Sequence, residues 1–166
     1  MTDRPLFSVV VPTFDREAHI GRCLTSIVGQ ASTCVEVVVV DNASTDRTVE
    51  IAERFADRLV LTVLVNGSNR ERSFSRNRGA EAACGQFVVF LDSDDELRPG
   101  ALDSARSFIA AHPDYRFFFQ RLTVVDETGT TVYEPRISRR QTWRRILAEG
   151  NPLSCSGVFV ERSLFL

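Results

Sequence analysis

Four acidic side chains fall within five positions directly behind an apolar run in FVVFLDSDDE, residues 87–96. Asp92 and Asp94 are separated only by Ser93, so an extended turn can point both carboxylates to one side. Two carboxylates about 4 Å apart repel by about 4 kcal/mol at an effective dielectric constant of roughly 20. Mg²⁺ and Mn²⁺ relieve such repulsion and complete their coordination with water and phosphate. The spacing predicts a divalent metal at Asp94 and Asp92 with a diphosphate ligand, although D-x-D also occurs in plain turns.

Arginines precede the acidic segment in NGSNRERSFSRNRG, residues 66–79. A guanidinium fork suits phosphate and nucleotide oxygens. Arg76 is assigned to the site because it lies next to Asn77 at a predicted helix start, whereas Arg70, Arg72 and Arg78 are predicted to be mainly surface residues. All 20 basic residues of the chain are arginines. Chemistry that needs a lysine amine, such as a P-loop or a Schiff base, is therefore excluded.

Polar residues also follow two earlier apolar runs, in PTFDR (12–16) and DNASTD (41–46). In an open parallel sheet, ligands bind beyond the carboxyl ends of the strands. Pro12 fixes the chain so that Thr13 and Phe14 can face a ligand, and Arg16 belongs to the same exit. The Phe14 ring is equally suited to a base contact or to the core. Asp41 can accept a hydrogen bond from a base or ribose, or can cap a helix.

The elements that must position these residues alternate along the chain. Apolar runs rich in β-branched residues are typical of strands covered on both faces, and stretches of helical period separate them. Four such repeats predict right-handed crossovers and a mostly parallel sheet between helices, an α/β fold. The predicted strands are 7–12, 35–41, 59–65 and 86–92, and the predicted helices are 16–30, 46–57, 75–84 and 100–111.

The pattern changes after residue 113. The segment YRFFFQRLTVVDETGTTVYEP predicts two antiparallel strands about a turn at DETG, followed by a helix over 140–149 and a last strand, SGVFVE. Ser44 or Thr45 and Pro99 mark helix starts, and Gly85 and Gly150 mark helix ends. A chain of 166 residues predicts one domain over 1–166.

The composition excludes several classes of partner. A net charge of −2 without a basic segment argues against nucleic acid, and no signal peptide or membrane span is predicted. Four scattered cysteines indicate reduced thiols in a cytoplasmic protein. Peripheral attachment at the inner face of the membrane and homodimerisation stay open.

Three other enzyme classes fit less well. The first strand exit lacks the glycine fingerprint of a dinucleotide-binding oxidoreductase. A phosphatase using FLDSDDE as its aspartyl-phosphate motif would have Thr or Val where Glu96 stands, and a lysine elsewhere. A nucleotidyltransferase of similar fold would need a glycine-rich first loop with arginine and lysine, which the sequence lacks.

Four blocks match a known family in order and spacing: VVVPTFDREAHIGRCLTSIVGQ, EVVVVDNASTDRT, SRNRGAEAACGQFVVFLDSDDELRPGAL and NPLSCSGVFVERSLF. The chain resembles the nucleotide-diphospho-sugar transferase domain of family 2 glycosyltransferases, which have the GT-A fold. The resemblance implies a three-layer, Rossmann-like α/β sandwich with a small antiparallel element near the C-terminus. It also implies transfer of a sugar from a nucleotide-diphosphate donor, such as a UDP-sugar, in cell-wall or polysaccharide biosynthesis.

The resemblance also implies individual roles. Pro12, Thr13 and Phe14 would line the nucleotide pocket, with Arg16 and Ser93 beside the donor. Asp41 would bind the base edge and Arg76 the nucleotide. Asp92 would meet the ribose and the metal shell, and Asp94 would ligate Mn²⁺ or Mg²⁺.

The family's mechanism is inverting, so an acceptor hydroxyl on a saccharide or lipid-linked molecule attacks the anomeric carbon. The general base of such enzymes lies in a loop after the last strand seen here, beyond Leu166. The chain is therefore expected to stop short of its base. The alternative is a non-catalytic nucleotide-sugar-binding module or fragment.

Overall fold

The computed structural model describes residues 4–30, 35–134 and 154–165. Within these ranges the chain forms eight strands and five helices. The strands are β1 (Phe7–Thr13), β2 (Val35–Asp41), β3 (Val60–Val65), β4 (Phe87–Phe90), β5 (Phe117–Phe119), β6 (Val124–Val125), β7 (Thr131–Tyr133) and β8 (Val158–Glu161). The helices are α1 (Ile20–Val28), α2 (Thr48–Glu53), α3 (Arg72–Ala82), α4 (Ala101–Ala111) and α5 (Arg162–Phe165).

Six strands form one sheet in the order β3-β2-β1-β4-β8-β5. The first four strands along the chain run parallel, as their alternation with helices predicted. The register pairs Thr13 with Asp41 and Asp41 with Val65, so three strands end at one level. β4 pairs Phe90 with Val10, so Asp92 follows β4 at the level of Pro12, on the same edge. The sheet thereby gathers the polar strand exits on one rim.

The central strands are buried on both faces, which explains their continuous apolar runs. All seven residues of β1 are buried. Phe7, Val9 and Val11 join a core cluster that includes side chains of α1, α2 and α4, while Val10 packs in a second cluster with α3. Successive side chains of a strand point to opposite faces, so one strand serves both cores. The predicted three-layer α/β architecture is confirmed.

The C-terminal part differs from its prediction. The FFF segment does not pair with the next strand; it forms β5 and joins the main sheet through antiparallel pairing with β8. The hairpin about the predicted turn is shorter and consists of β6 and β7. The last strand, β8, lies antiparallel between β4 and β5. Side-chain period predicts a strand but not its neighbour, because pairing depends on distant residues. The helix predicted over 140–149 and its end at Gly150 lie outside the described residues.

Helix boundaries also differ from prediction. α3 begins at Arg72 rather than Ser75, so Arg76 lies in its second turn. Neither Ser44 nor Thr45 caps α2; Asp46 instead accepts a 2.9 Å hydrogen bond from the Thr48 amide with its Oδ1 atom. Gly85 lies beyond the end of α3, where a Cβ atom would come within 2.5 Å of Ser8 Oγ. Its role is close approach of two backbone segments. None of the helices in the described ranges has the length and apolarity needed to cross a lipid bilayer.

Candidate functional site

A cavity of about 690 Å³ opens at the rim where the parallel strands end. The exit of β1 forms one side, and the turn after β4 forms another. The connection between β3 and α3 supplies a third wall, and it brings to the cavity Arg70 and Arg72, which were predicted to be mainly surface residues. The lining residues are Pro12, Thr13, Phe14, Arg16, Asn42, Ser68, Asn69, Arg70, Glu71, Arg72, Ser75, Asp92, Ser93 and Asp94.

Most of the predicted site residues meet at this cavity, but two do not line it. Arg76 lies beneath it and reaches Asp92. Asp41 is only 1 % exposed, and its carboxylate accepts hydrogen bonds from the backbone amide and the hydroxyl of Ser44. The neighbouring Asn42 faces the cavity instead. A contact between Asp41 and a base stays a prediction.

Thr13 brings a buried hydroxyl to the cavity. The residue is 4 % exposed, and its Oγ1 atom has no hydrogen-bond partner among the described residues. A buried polar group without a partner costs about 1–3 kcal/mol, so such groups are usually satisfied by protein, water or ligand. Phe14, next along the chain, is 38 % exposed and is therefore available for packing against a ligand. The β1 exit thus offers one polar and one aromatic contact.

Asp92 and Asp94 occupy different electrostatic environments. Arg76 Nη2 lies 2.6 Å from Asp92 Oδ1, and both side chains are largely buried. Asp94 is 51 % exposed, and its nearest guanidinium atom, Arg16 Nε, lies 3.6 Å from Oδ2. Arginines therefore supply part of the positive charge that the spacing alone assigned to a metal. Asp94 is the more accessible ligand of the two.

The remaining acids of the turn have partners of their own. Arg22 pairs with Glu96 at 2.5 Å on the side away from the cavity. Across the described ranges, no three His, Cys, Asp or Glu side chains are grouped so that they could hold a metal ion. Hard carboxylate oxygens at the cavity still suit Mg²⁺ or Mn²⁺, which accept one or two protein carboxylates when substrate phosphate supplies further ligands. The donor set fits a metal that arrives with a phosphate-bearing ligand.

Ser156, which sequence reasoning did not single out, holds the acidic turn in place. Its Oγ atom accepts a 3.1 Å hydrogen bond from the Asp92 amide and donates a 2.5 Å bond to Asp95 Oδ2. Because β8 is antiparallel to β4, the residues entering β8 lie where β4 ends. The sequence contained a block there, but only the strand direction shows what its serine contacts.

Burial raises the pKa of Asp95 above its ordinary value of 3.8. The negative charges of Asp92 and Asp94 add to this rise, and the hydrogen bond from Ser156 opposes it. The folded state therefore binds the proton more tightly than the unfolded state. The resulting stabilisation is present below pH 3.8 and is lost as the pH rises through the folded-state pKa.

Asp95→Asn should consequently raise the free energy of unfolding near neutral pH, because it removes a charge that burial disfavours. The gain should shrink on acidification, as wild-type Asp95 takes up its proton in the folded state. Urea denaturation in EDTA at several pH values measures this. Asp126→Asn is a control for which the pKa shift has the opposite sign. Hydrogen bonds, of which the one from the Thr128 hydroxyl has the largest effect, lower the pKa of Asp126. A gain for Asp95→Asn that does not vary with pH would contradict the assignment.

Arg76→Met should lower the free energy of unfolding by about 1–2 kcal/mol, because Asp92 loses a charged hydrogen bond in a largely buried position. The matched control is Arg106→Met, which breaks the 2.9 Å pair with Asp103 on an exposed stretch of α4. Such surface pairs contribute about 0–1 kcal/mol. Urea denaturation compares the two, and equal losses would mean that the Arg76 pair is no stronger than a surface pair.

The family model for glycosyl transferase family 2 matches residues 8–165. The chain belongs to glycosyl transferase family 2. Its fold is GT-A, as shown by the TarS fragment 1–349 of Staphylococcus aureus in complex with UDP-GlcNAc. That crystal structure matches 95 % of this chain and 46 % of its own, with 29 % identity and a TM-score of 0.75.

Two further proteins extend the likeness. An uncharacterised glycosyltransferase of Haemophilus influenzae is 28 % identical over 163 residues, which are 97 % of this chain and 54 % of that protein. The mannosyltransferase PcManGT from Pyrobaculum calidifontis, solved with GDP-Man and Mn²⁺, is 32 % identical over 70 % of this chain and 35 % of its own, with a TM-score of 0.63. The chain spans about half or less of the length of these relatives.

Proposed function

We propose that this chain is the donor-binding domain of an inverting glycosyltransferase that uses a UDP-sugar together with a divalent metal ion. The observation that carries the proposal is the pairing of opposite charges in one cavity. Arg16, Arg70 and Arg72 line it together with the half-exposed carboxylate of Asp94. A metal diphosphate presents both signs of charge and would satisfy both sets of side chains.

The nucleoside would lie at the exit of β1. The Thr13 hydroxyl is buried and has no partner in the described part of the chain, and a ribose or base oxygen or N–H group would satisfy it. The exposed Phe14 ring would pack on the base. Asp41, at the end of β2, would accept a hydrogen bond from a base N–H group after Ser44 releases one of the two carboxylate oxygens. The similarity to TarS in complex with UDP and with UDP-GlcNAc supports uridine as the nucleoside.

The diphosphate would lie between the arginines and Asp94, with Ser93 beside it. Mn²⁺ or Mg²⁺, when bound by Asp94 with Asp92 in its shell, would offset the negative charge that grows on the leaving diphosphate. Arg16 would exchange its contact with Asp94 for a phosphate oxygen. Arg76 would keep Asp92 oriented from below, a supporting contact where the sequence predicted a direct one with the nucleotide.

In the transfer step, an acceptor hydroxyl oxygen forms a bond to the anomeric carbon while the bond from that carbon to the diphosphate breaks. The hydroxyl proton passes to a general base, which we place outside residues 1–166. The acceptor would be a saccharide or lipid-linked molecule of cell-wall or polysaccharide synthesis, and the setting cytoplasmic, with a homodimer left open. A nucleotide-sugar-binding module without catalysis is the alternative that an activity assay would separate.

Calorimetry with UDP, GDP, ADP and UDP-GlcNAc tests the proposal on the 166-residue chain. Each titration is run in EDTA, in Mg²⁺ and in Mn²⁺. We expect saturable UDP binding that strengthens at least about tenfold with a divalent ion, a difference of about 1.4 kcal/mol. Tighter binding of GDP than of UDP would mean that the donor is a GDP-sugar. Equal UDP affinity in EDTA and in a divalent ion would mean that no metal takes part in binding. Binding of no nucleotide would overturn the proposed function.

A further inference from the structure

A chain of polar side chains that runs from α3 to the cavity has no part in the proposed function so far. Asn42 and Asn66 are 6 % and 4 % exposed, and both follow the carboxyl ends of strands. Buried carboxamides need partners for each of their polar atoms. Those partners lead from α3 to the cavity wall formed by residues 68–72.

Asn42 forms hydrogen bonds with both backbone polar groups of Arg70. Its Oδ1 atom accepts a 2.9 Å hydrogen bond from the Arg70 amide, and its Nδ2 group donates to the Arg70 carbonyl. The same Nδ2 group donates to Asn69 Oδ1 at 2.7 Å. One side chain therefore contacts Arg70 as a neighbouring strand would, at a place where the wall belongs to no strand or helix.

The orientation of this carboxamide is fixed from a distance. Arg78 has only donors, and it donates to Asn66 Oδ1 at 2.5 Å and to the Val65 carbonyl at 2.9 Å. The oxygen of Asn66 must face Arg78, so its nitrogen donates to Asn42 Oδ1 at 2.9 Å and to Ser75 Oγ at 3.0 Å. The polarity of Asn42 follows, with its nitrogen towards the Arg70 carbonyl.

We infer that Asn42 is a positioning residue that fixes the wall of residues 68–72, and with it the guanidinium groups of Arg70 and Arg72, for the donor diphosphate. The inference rests on the proposed function for the identity of the ligand. The Arg70 side chain also packs on the Phe74 ring, with its Cζ atom 3.9 Å from the ring centre. Asn42 directly follows Asp41, so the residue predicted to bind the base and the residue that holds the wall are neighbours in the chain.

Trypsin tests the wall without any nucleotide, because the bonds after Arg70 and Arg72 are its cleavage sites. Asn42→Ala should raise the rate of cutting there at least about tenfold, since two backbone hydrogen bonds are lost. The matched control is Gln30→Ala. Gln30 is a buried carboxamide that holds the Arg98 carbonyl and the Leu102 amide, away from this cavity. The control should leave cutting at Arg70 and Arg72 within about twofold of wild type.

A second variant separates positioning from direct contact. Arg78 does not line the cavity, so Arg78→Leu removes no direct contact with a ligand there and reaches the wall through Asn66 and Asn42. Both Arg78→Leu and Asn42→Ala should weaken UDP binding in Mn²⁺ by about tenfold, while Gln30→Ala stays within about twofold. Weakening by Asn42→Ala with an unchanged Arg78→Leu would mean direct contact and would overturn the positioning role.

The two proposals fail in different ways. Equal trypsin cutting in wild type, Asn42→Ala and Arg78→Leu overturns this inference whether or not a nucleotide binds. A wild-type chain that binds no nucleoside diphosphate overturns the proposed function, while the cutting rates still decide what holds the wall. If Asn42→Ala does not fold, Arg78→Leu, a change at a partly exposed position, carries both measurements.

Discussion

Asp94→Ala is expected to weaken Mn²⁺-dependent binding of UDP by about 100-fold, or about 2.7 kcal/mol, because it removes the direct protein ligand of the proposed ion. The fold should tolerate the change. Asp94 is half exposed, and its 3.6 Å contact with Arg16 is a surface pair, of a kind that contributes about 0–1 kcal/mol. Calorimetry in Mn²⁺ and in EDTA, with thermal melting as the check on folding, measures the effect.

The EDTA arm makes the expectation specific. Without a metal, Asp94 repels the diphosphate, and its removal frees Arg16 for a phosphate oxygen. UDP binding in EDTA should therefore stay equal to wild type or strengthen. A loss of the same size in both conditions would show that Asp94 acts through structure, and no loss in Mn²⁺ would remove the metal from this residue.

Glu96→Ala is the matched control for Asp94→Ala. It removes one negative charge two residues further along the same turn, where Glu96 pairs with Arg22 and does not line the cavity. UDP affinity should stay within about twofold of wild type in either condition. Equal weakening by both variants would mean that the total charge of the turn matters, and that no single ligand does.

Gly79→Ala should lower the free energy of unfolding by about 3 kcal/mol or more, the upper end for overpacking a core. A Cβ atom on Gly79 would lie 2.3 Å from Val10 Cγ1 and 3.1 Å from Val40 Cγ2. Both valines are fully buried in neighbouring strands, so neither can move aside cheaply. α3 would have to lift from the sheet, and it carries Arg76. Urea denaturation measures the loss.

Gly21→Ala supplies the control for Gly79→Ala, because Gly21 also lies within a helix. A Cβ atom there meets only Ile51 Cγ2, at 3.7 Å, an ordinary contact. The change should raise the free energy of unfolding by about 0.5–1 kcal/mol through helix propensity. If Gly79→Ala behaved like Gly21→Ala, the close approach of α3 to the sheet would be wrong. UDP titration of any folded Gly79→Ala protein reports whether Arg76 has moved.

The sequence determined the α/β fold and the place of the candidate site, because both follow from local patterns. Apolar runs of β-branched residues define the strands, and parallel strands must end on one rim. Pro12, Thr13, Asp92 and Asp94 each follow such a run, so their meeting could be predicted without coordinates. The predicted helix boundaries were less accurate. α3 starts at Arg72, three residues before the predicted start, and the amphipathic pattern did not indicate this.

Only the tertiary structure decided which groups pair with these charged and polar residues. Arg76 neutralises Asp92, Ser156 ties Asp92 to Asp95, and Asn42 holds Arg70. Each of these contacts joins segments distant in the chain, and their atoms meet through strand order and direction. The insertion of β8 antiparallel beside β4 is the clearest case, since it brings Ser156 to the acidic turn. Side-chain period carries no information about such neighbours, because it records which face a residue occupies and not what lies opposite.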